Sequence, residues 1–157
     1  QQKVYENQDY QNQAKKLGYS LDDIIILASM CESEATTAED RKLVAGVFYN
    51  RINAGWTLGS DVTTYYAEQK GFDEELTMNA YNSCNAYNTR GTCFTGLPVG
   101  PICSSGLESL KATIEPEMGN YYYFVADKNK KTYFMSTSAE FQQKINELKR
   151  DNLWYTY

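Results

Sequence analysis

Histidine is absent from this sequence, which removes Ser/His/Asp and Cys/His catalysis and the commonest metal ligand together. Carboxylates, tyrosines and cysteines remain for chemistry. The carboxylate best placed for it is Glu32, within the stretch LASMCESEATTAEDRKLVAGVFYN from Leu27 to Asn50. Ile24, Ile25, Ile26, Leu27, Ala28 and Met30 lead up to it. A helix apolar all round is a buried one, and at 3.6 residues per turn Glu32 shares a face with Ile25 and Ala28. A carboxylate that starts from an apolar wall is costly to ionise, and a carboxyl that keeps its proton near the working pH is what general-acid catalysis requires. The alternative is a helix end that has reached water, with Glu32 solvated beside Glu34. Glu34 is the nearby second acid, and at i+2 on a helix it points away from Glu32.

The elements that must position this group follow from local signals. Ser20 with Asp23 reads as an N-cap and its capping-box partner, opening a helix near Leu21. Thr37 with Asp40 repeats the signature, and Leu43, Val44, Val47, Phe48 and Ile52 give a second helix one apolar stripe that ends at Ala54 and Gly55. Residues 1–17 are polar with a weak stripe through Val4, Tyr5 and Leu17, a surface helix or a linker stopped by Gly18. Thr63 to Gln69 forms a short helix with Asp61 as its cap. Residues 82–106 are crowded with Asn, Gly, Pro and Ser and lack either periodicity; a loop of that length in a compact domain is usually functional. Ser104 or Ser105 caps a helix from Gly106 to Ile114, ended before Pro116. NYYYFVAD and KTYFMS flank Lys128 to Lys130 as a hairpin of two strands. Ser138 opens a last helix with Phe141, Ile145 and Leu148 on one stripe. The expected fold is α+β: a helical body with a buried catalytic helix and a small antiparallel β-sheet to one side.

Composition narrows the function. A chain of 157 residues, 42% of them hydrophobic, buries one real core. The net charge of −5 is spread out, with no basic stripe to meet a phosphate backbone, so nucleic acid is not an expected partner. Fourteen tyrosines against six phenylalanines supply aromatic faces with polar tips, suited to stacking on sugar rings and equally to a core rim. No run of 18 apolar residues occurs. Four cysteines, at 31, 84, 93 and 103, fit an exported protein and allow three pairings. The favoured one joins Cys84 to Cys93 across a short loop and Cys31 to Cys103. A zinc site is disfavoured by the lack of both C-x-x-C and histidine.

Several of these stretches resemble the MltG/YceG-like family of endolytic murein transglycosylases. The family's A-S-I-V-E-K-E and V-A-x-V-F-x-N-R-L stand here as Ala28 to Glu34 and Val44 to Ile52, its S-D-P-T-V-x-Y-A as Ser60 to Ala67, its Y-N-T as Tyr87 to Thr89, its G-L-P-P-G-P-I as Gly96 to Ile102, and its Y-L-Y-F-V-A-D as Tyr121 to Asp127. Val62 replaces a proline, Arg90 a tyrosine and Val99 a proline. The motifs occur in the family's order over about Leu21 to Leu148.

The resemblance implies a lytic transglycosylase without cofactor or metal. Its catalytic acid, the first glutamate of the family motif, falls on Glu32. That residue would protonate the oxygen leaving C1 of muramic acid, then take the proton of the sugar's own 6-hydroxyl to give a 1,6-anhydro end. Asp61, Thr63, Tyr87, Asn88, Thr89, Gly96 and Pro98 fall on the substrate-binding positions; Tyr87 adds a stacking face and Asn88 an amide that both donates and accepts. The implied partners are peptidoglycan glycan strands and cell-wall synthesis proteins. The implied place is the extracytoplasmic face of a bacterial membrane, with residues 1–18 a surface helix or linker from an upstream anchor and 19–157 the catalytic domain. The rival readings are a hydrolytic muramidase, which needs a second carboxylate, and a non-catalytic peptidoglycan-binding or scaffold domain.

Overall fold

The computed structural model describes residues 2–154; residue 1 and residues 155–157, the outer ends of the two expected segments, lie outside them. Two helices, α1 (Gln2–Tyr5) and α2 (Gln8–Leu17), open the chain. Asn7 caps α2 and Gly18 closes it at φ 86°, the left-handed conformation that favours glycine. α2 packs on the helices that follow through the buried Ala14.

At the centre is α3 (Leu21–Glu34), whose start carries the expected reciprocal capping box between Ser20 and Asp23. Ile24, Leu27, Ala28, Met30 and Cys31 are wholly enclosed. Around α3 lie α4 (Ala38–Asn53), capped by Thr37 as expected, and α7 (Leu107–Ile114). The burial on α4 runs from Val44 to Tyr49 without a break, wider than one stripe, because α4 also packs against α7 and β1. Gly46 explains one of these approaches: the backbone carbonyl of Glu117 occupies the space a Cβ would need, so no larger residue fits there. At its end α4 clamps the chain that enters the sheet. Asn50 Nδ2 donates to the carbonyls of Gly119 (2.8 Å) and Tyr121 (2.9 Å), and Arg51 Nε donates to that of Tyr122 at 2.6 Å.

Between α4 and α7 come α5 (Asp61–Glu68) and the short α6 (Met78–Asn82), then a stretch from 83 to 106 with no helix or strand, as its composition indicated. Two starts differ from expectation. Ser60 is the N-cap of α5 and Asp61 its first residue. Gly106, not Ser104 or Ser105, precedes α7 and brings no capping side chain.

The sheet is the expected hairpin, shorter at both ends: β1 (Tyr123–Ala126) pairs antiparallel with β2 (Thr132–Met135), Phe124 opposite Phe134. The buried Asp127 organises the turn, accepting from the amides of Asn129 (2.8 Å) and Lys131 (3.0 Å) and from the Tyr133 hydroxyl at 3.1 Å. Finally α8 (Ser138–Arg150) packs on both strands, with the Phe141 ring stacked on Tyr123. It opens at Ser138 as expected, with Thr137 as its cap. The α+β architecture with a buried central helix and a small antiparallel sheet is the one the sequence indicated.

Candidate functional site

Glu34 is the last residue of α3, at the point where the chain turns outward. Ala35 is extended and buried, and Arg41 Nε donates to its carbonyl at 3.0 Å, fixing the turn. Across from it, Ser60 does not use its side chain to cap α5; its hydroxyl donates to Glu34 Oε1 at 2.6 Å. Glu34 is half-buried, and its enclosure pushes the carboxyl up to about 7. The Ser60 hydrogen bond opposes that rise, the nearby Asp61 charge adds to it, and Arg90 opposes it. A carboxyl poised near neutrality can give and take back a proton at physiological pH.

Asp61 and Arg90 face solvent and form an ion pair through Arg90 Nε. With Tyr81 and Asn82 they line an open cavity of about 390 Å³. Arg90, which departs from the family's tyrosine, thus belongs to the site.

Three of the expected ligand-binding side chains turn inward instead. Asn88 is 1% exposed and fully engaged. Its amide nitrogen donates to the carbonyls of Ala80 (3.3 Å), Tyr81 (2.8 Å) and Ser83 (2.7 Å). Its oxygen accepts from the Thr64 hydroxyl (3.2 Å) and the amides of Arg90 (3.1 Å) and Gly91 (3.2 Å). Thr89 Oγ1 accepts from the Ser60 amide at 2.9 Å and sits 3.0 Å from Thr63 Oγ1, itself buried and donating to the Ser60 carbonyl. These groups lack free valence for a glycan. Their role is to lock the loop to the start of α5, holding Ser60 against Glu34.

Gly96 makes a left-handed turn at φ 84°, Pro98 is buried, and Leu97 between them packs on the core, so this motif anchors the loop and lines neither cavity. Of the remaining candidates Asp61 lines the first cavity, and Tyr87 lines a second one beyond it.

Glu32 points to the other side of α3. It accepts a hydrogen bond from Ser109 Oγ and lies beside Gly106, at the first turn of α7. That turn has no capping side chain of its own, and a carboxylate there is favoured by the helix dipole and the unpaired amides.

The cysteines divide. Cys84 and Cys93 form the expected disulfide, with Cα atoms 5.6 Å apart. Cys31 and Cys103 are free, which corrects the second pairing. The reason is helical phase: Cys103 lies against the Ser29 carbonyl and Ser33 hydroxyl. Those two residues share one face of α3, and Cys31, two positions from each, lies on the opposite face. Among the described residues, no three His, Cys, Asp or Glu side chains converge into a metal site.

The model of the YceG-like family matches residues 1–147. The chain belongs to the YceG-like family. Relatives named endolytic murein transglycosylase are 36% identical over 131 residues in Bacillus subtilis and 30% identical over 146 residues in Streptococcus pneumoniae, covering 83% and 88% of this chain. The crystal structure of a yceG-like protein from Listeria monocytogenes superposes with a TM-score of 0.77 at 35% identity, over 87% of this chain and 44% of that one. The YceG-like chain described here spans 36% and 26% of the two relatives' own lengths. In this YceG-like fold, reasoning from sequence misses Glu34, Ser60, Arg90 and Tyr66 as cavity or cavity-adjacent groups. Helical phase separates Glu32 from Glu34, but only the packing of α5 and α7 tells that Glu34 meets Ser60 and Glu32 meets Ser109.

Proposed function

We propose that this chain is the catalytic part of a peptidoglycan lytic transglycosylase, and that Glu34 performs its proton transfers. The relatives' name, endolytic murein transglycosylase, supplies the reaction class. The observation that carries the residue assignment is the Glu34 carboxyl, raised to about 7, hydrogen-bonded to Ser60 and within electrostatic reach of Asp61 and Arg90, two of the residues that line the cavity. In the protonated form it gives its proton to the glycosidic oxygen as the bond from that oxygen to C1 of N-acetylmuramic acid breaks. The resulting carboxylate takes the proton of the same sugar's 6-hydroxyl as O6 bonds to C1. The glycan ends in a 1,6-anhydro sugar, no water is consumed, and Glu34 is again protonated.

In this reading a single carboxyl suffices, the Ser60 hydroxyl steadies it, and Asp61 faces the positive charge that develops on the ring. Glu32, bound to α7, has a positioning role. The site would work on glycan strands outside a bacterial cytoplasmic membrane, beside cell-wall synthesis proteins, with an upstream segment as its anchor. One observation favours a second reading: Asp61 is a further acid at the cavity rim, as a water-activating muramidase would need.

The test is mass spectrometry of glycan fragments released from purified sacculi by the parent chain, Glu34→Gln and Glu32→Gln. Anhydro ends from the parent and from Glu32→Gln, with none from Glu34→Gln, are expected. Cleavage retained by Glu34→Gln and lost in a folded Glu32→Gln would move the acid back to Glu32. Reducing ends in place of anhydro ends would give the muramidase reading.

A further inference from the structure

We infer that the cleft beside the paired rings of Tyr66 and Tyr87 is a second saccharide subsite, which stacks a neutral N-acetylated amino sugar of the same strand. This rests on the glycan reading above but not on which glutamate is the acid. The cleft has a volume of about 460 Å³, and Glu68, Gln69, Ser83 and Asn85 complete its lining. The rings of Tyr66 and Tyr87 lie 4.8 Å apart, tilted at 56°, and the Tyr66 residue is 45% exposed. An open cavity with two aromatic faces and a few polar groups at its edge is the usual make-up of a small-ligand site. The C–H faces of a pyranose suit the rings, and its hydroxyls and acetamido group suit the polar edge.

Those polar groups retain free valence, unlike Asn88. The Asn85 amide nitrogen donates to Ser83 Oγ at 3.2 Å, which leaves its second N–H and the Ser83 hydroxyl proton available. Gln69 ends α5 in the left-handed conformation at φ 53°. Glycine is the residue that position favours, so the chain bears strain there while keeping an amide at the rim of the cleft.

The aromatic faces are also preset. The Cys84–Cys93 disulfide closes the loop that bears Asn85 and Tyr87. The Tyr87 amide donates to Asn85 Oδ1 at 2.9 Å, and Val99 N–H donates to the Ala86 carbonyl at 3.0 Å. A site that needs no ordering on binding loses less affinity to entropy.

Charge selects which sugar sits where. The second cleft has one charged group in its lining, the carboxylate of Glu68, whereas the first has the Arg90–Asp61 ion pair, so an anionic substituent meets a net negative charge in the second cleft only. A sugar carrying an anionic substituent is therefore favoured beside Arg90, and its neutral neighbour beside Tyr66. Asp61 and Tyr66 are five residues apart on α5, roughly 7 Å of axial rise, so one strand can reach both clefts.

The experiment titrates the intact protein with the dimer and tetramer of N-acetylglucosamine by calorimetry, with mass spectrometry confirming that the sugars stay whole. The parent is expected to bind the tetramer more tightly than the dimer. Tyr66→Ala should weaken tetramer binding about tenfold, the scale of one lost aromatic contact, and erase the gain from dimer to tetramer, while Tyr66→Phe keeps both. Gln69→Ala, which trims the polar rim of the cleft and leaves both aromatic rings in place, should also weaken the tetramer. Tetramer binding unchanged in both Tyr66→Ala and Gln69→Ala, or absent from the parent, overturns the subsite. Failure of the Glu34 assignment shows separately, as glycan cleavage retained by Glu34→Gln.

Discussion

Replacing Glu34 by Gln keeps the shape of the side chain and an oxygen for the Ser60 hydroxyl to donate to, but removes the group that titrates. In the parent, the carboxyl rises from 4.5 to about 7 on folding, chiefly by burial. The folded chain therefore holds this proton more tightly than the unfolded chain does. The stability linked to it is fully present below the unfolded value and is lost as pH rises through about 7. At about 1.36 kcal/mol for each pH unit that separates the folded and unfolded values, with a reduction for the part of the side chain that meets solvent, the loss is ~2–3 kcal/mol between about pH 4 and pH 8. For a domain of this size that corresponds to roughly 5–10 °C in Tm. Urea denaturation of parent and Glu34→Gln across that range is the assay. The variant should match the parent within error at the acid end and exceed it increasingly towards neutrality. A gap that stays constant with pH would refute the claim that the protein encloses this carboxyl.

Asn88→Ala removes the acceptor and donors that hold six loop and helix groups, so it should cost about 2–5 kcal/mol of stability in denaturant; a loss below about 1 kcal/mol would contradict its inward role. The free thiols differ in access: Cys103 is exposed, whereas Cys31 is enclosed and its thiol pushed up to about 12 by burial. A thiol reagent should label Cys103 in the folded protein and both Cys31 and Cys103 after denaturation without reductant, with Cys84 and Cys93 appearing only on reduction. Labelling of all four without reductant would disprove the disulfide.

The difference between what is legible in such a chain and what is not lies in local against non-local information. Capping chemistry is local, so Ser20 with Asp23 and Thr37 mark the starts of α3 and α4 in the sequence itself. An all-apolar run can only be buried, so α3 is legible as the central helix, and alternating aromatic and β-branched residues mark the hairpin. The Cys84–Cys93 bridge is legible because a short loop keeps the two ends close.

What the sequence leaves open depends on which surface each helix meets. Glu32 and Glu34 lie on different faces of α3 by helical phase alone, but α7 covers one and Ser60 of α5 the other. The same holds for Cys31 and Cys103, and for Asn88, whose amide satisfies backbone carbonyls of α6 and the turn after it. Burial, and with it the pKa of a carboxyl or the availability of an amide, is a property of neighbours brought from elsewhere in the chain, 26 residues away in the case of Glu34 and Ser60. The sequence by itself determined the long central helices, the hairpin and the family; the tertiary structure decided that Glu34 meets Ser60 at the start of α5 and Glu32 meets Ser109 of α7, because only packing brings those helices onto different faces of α3.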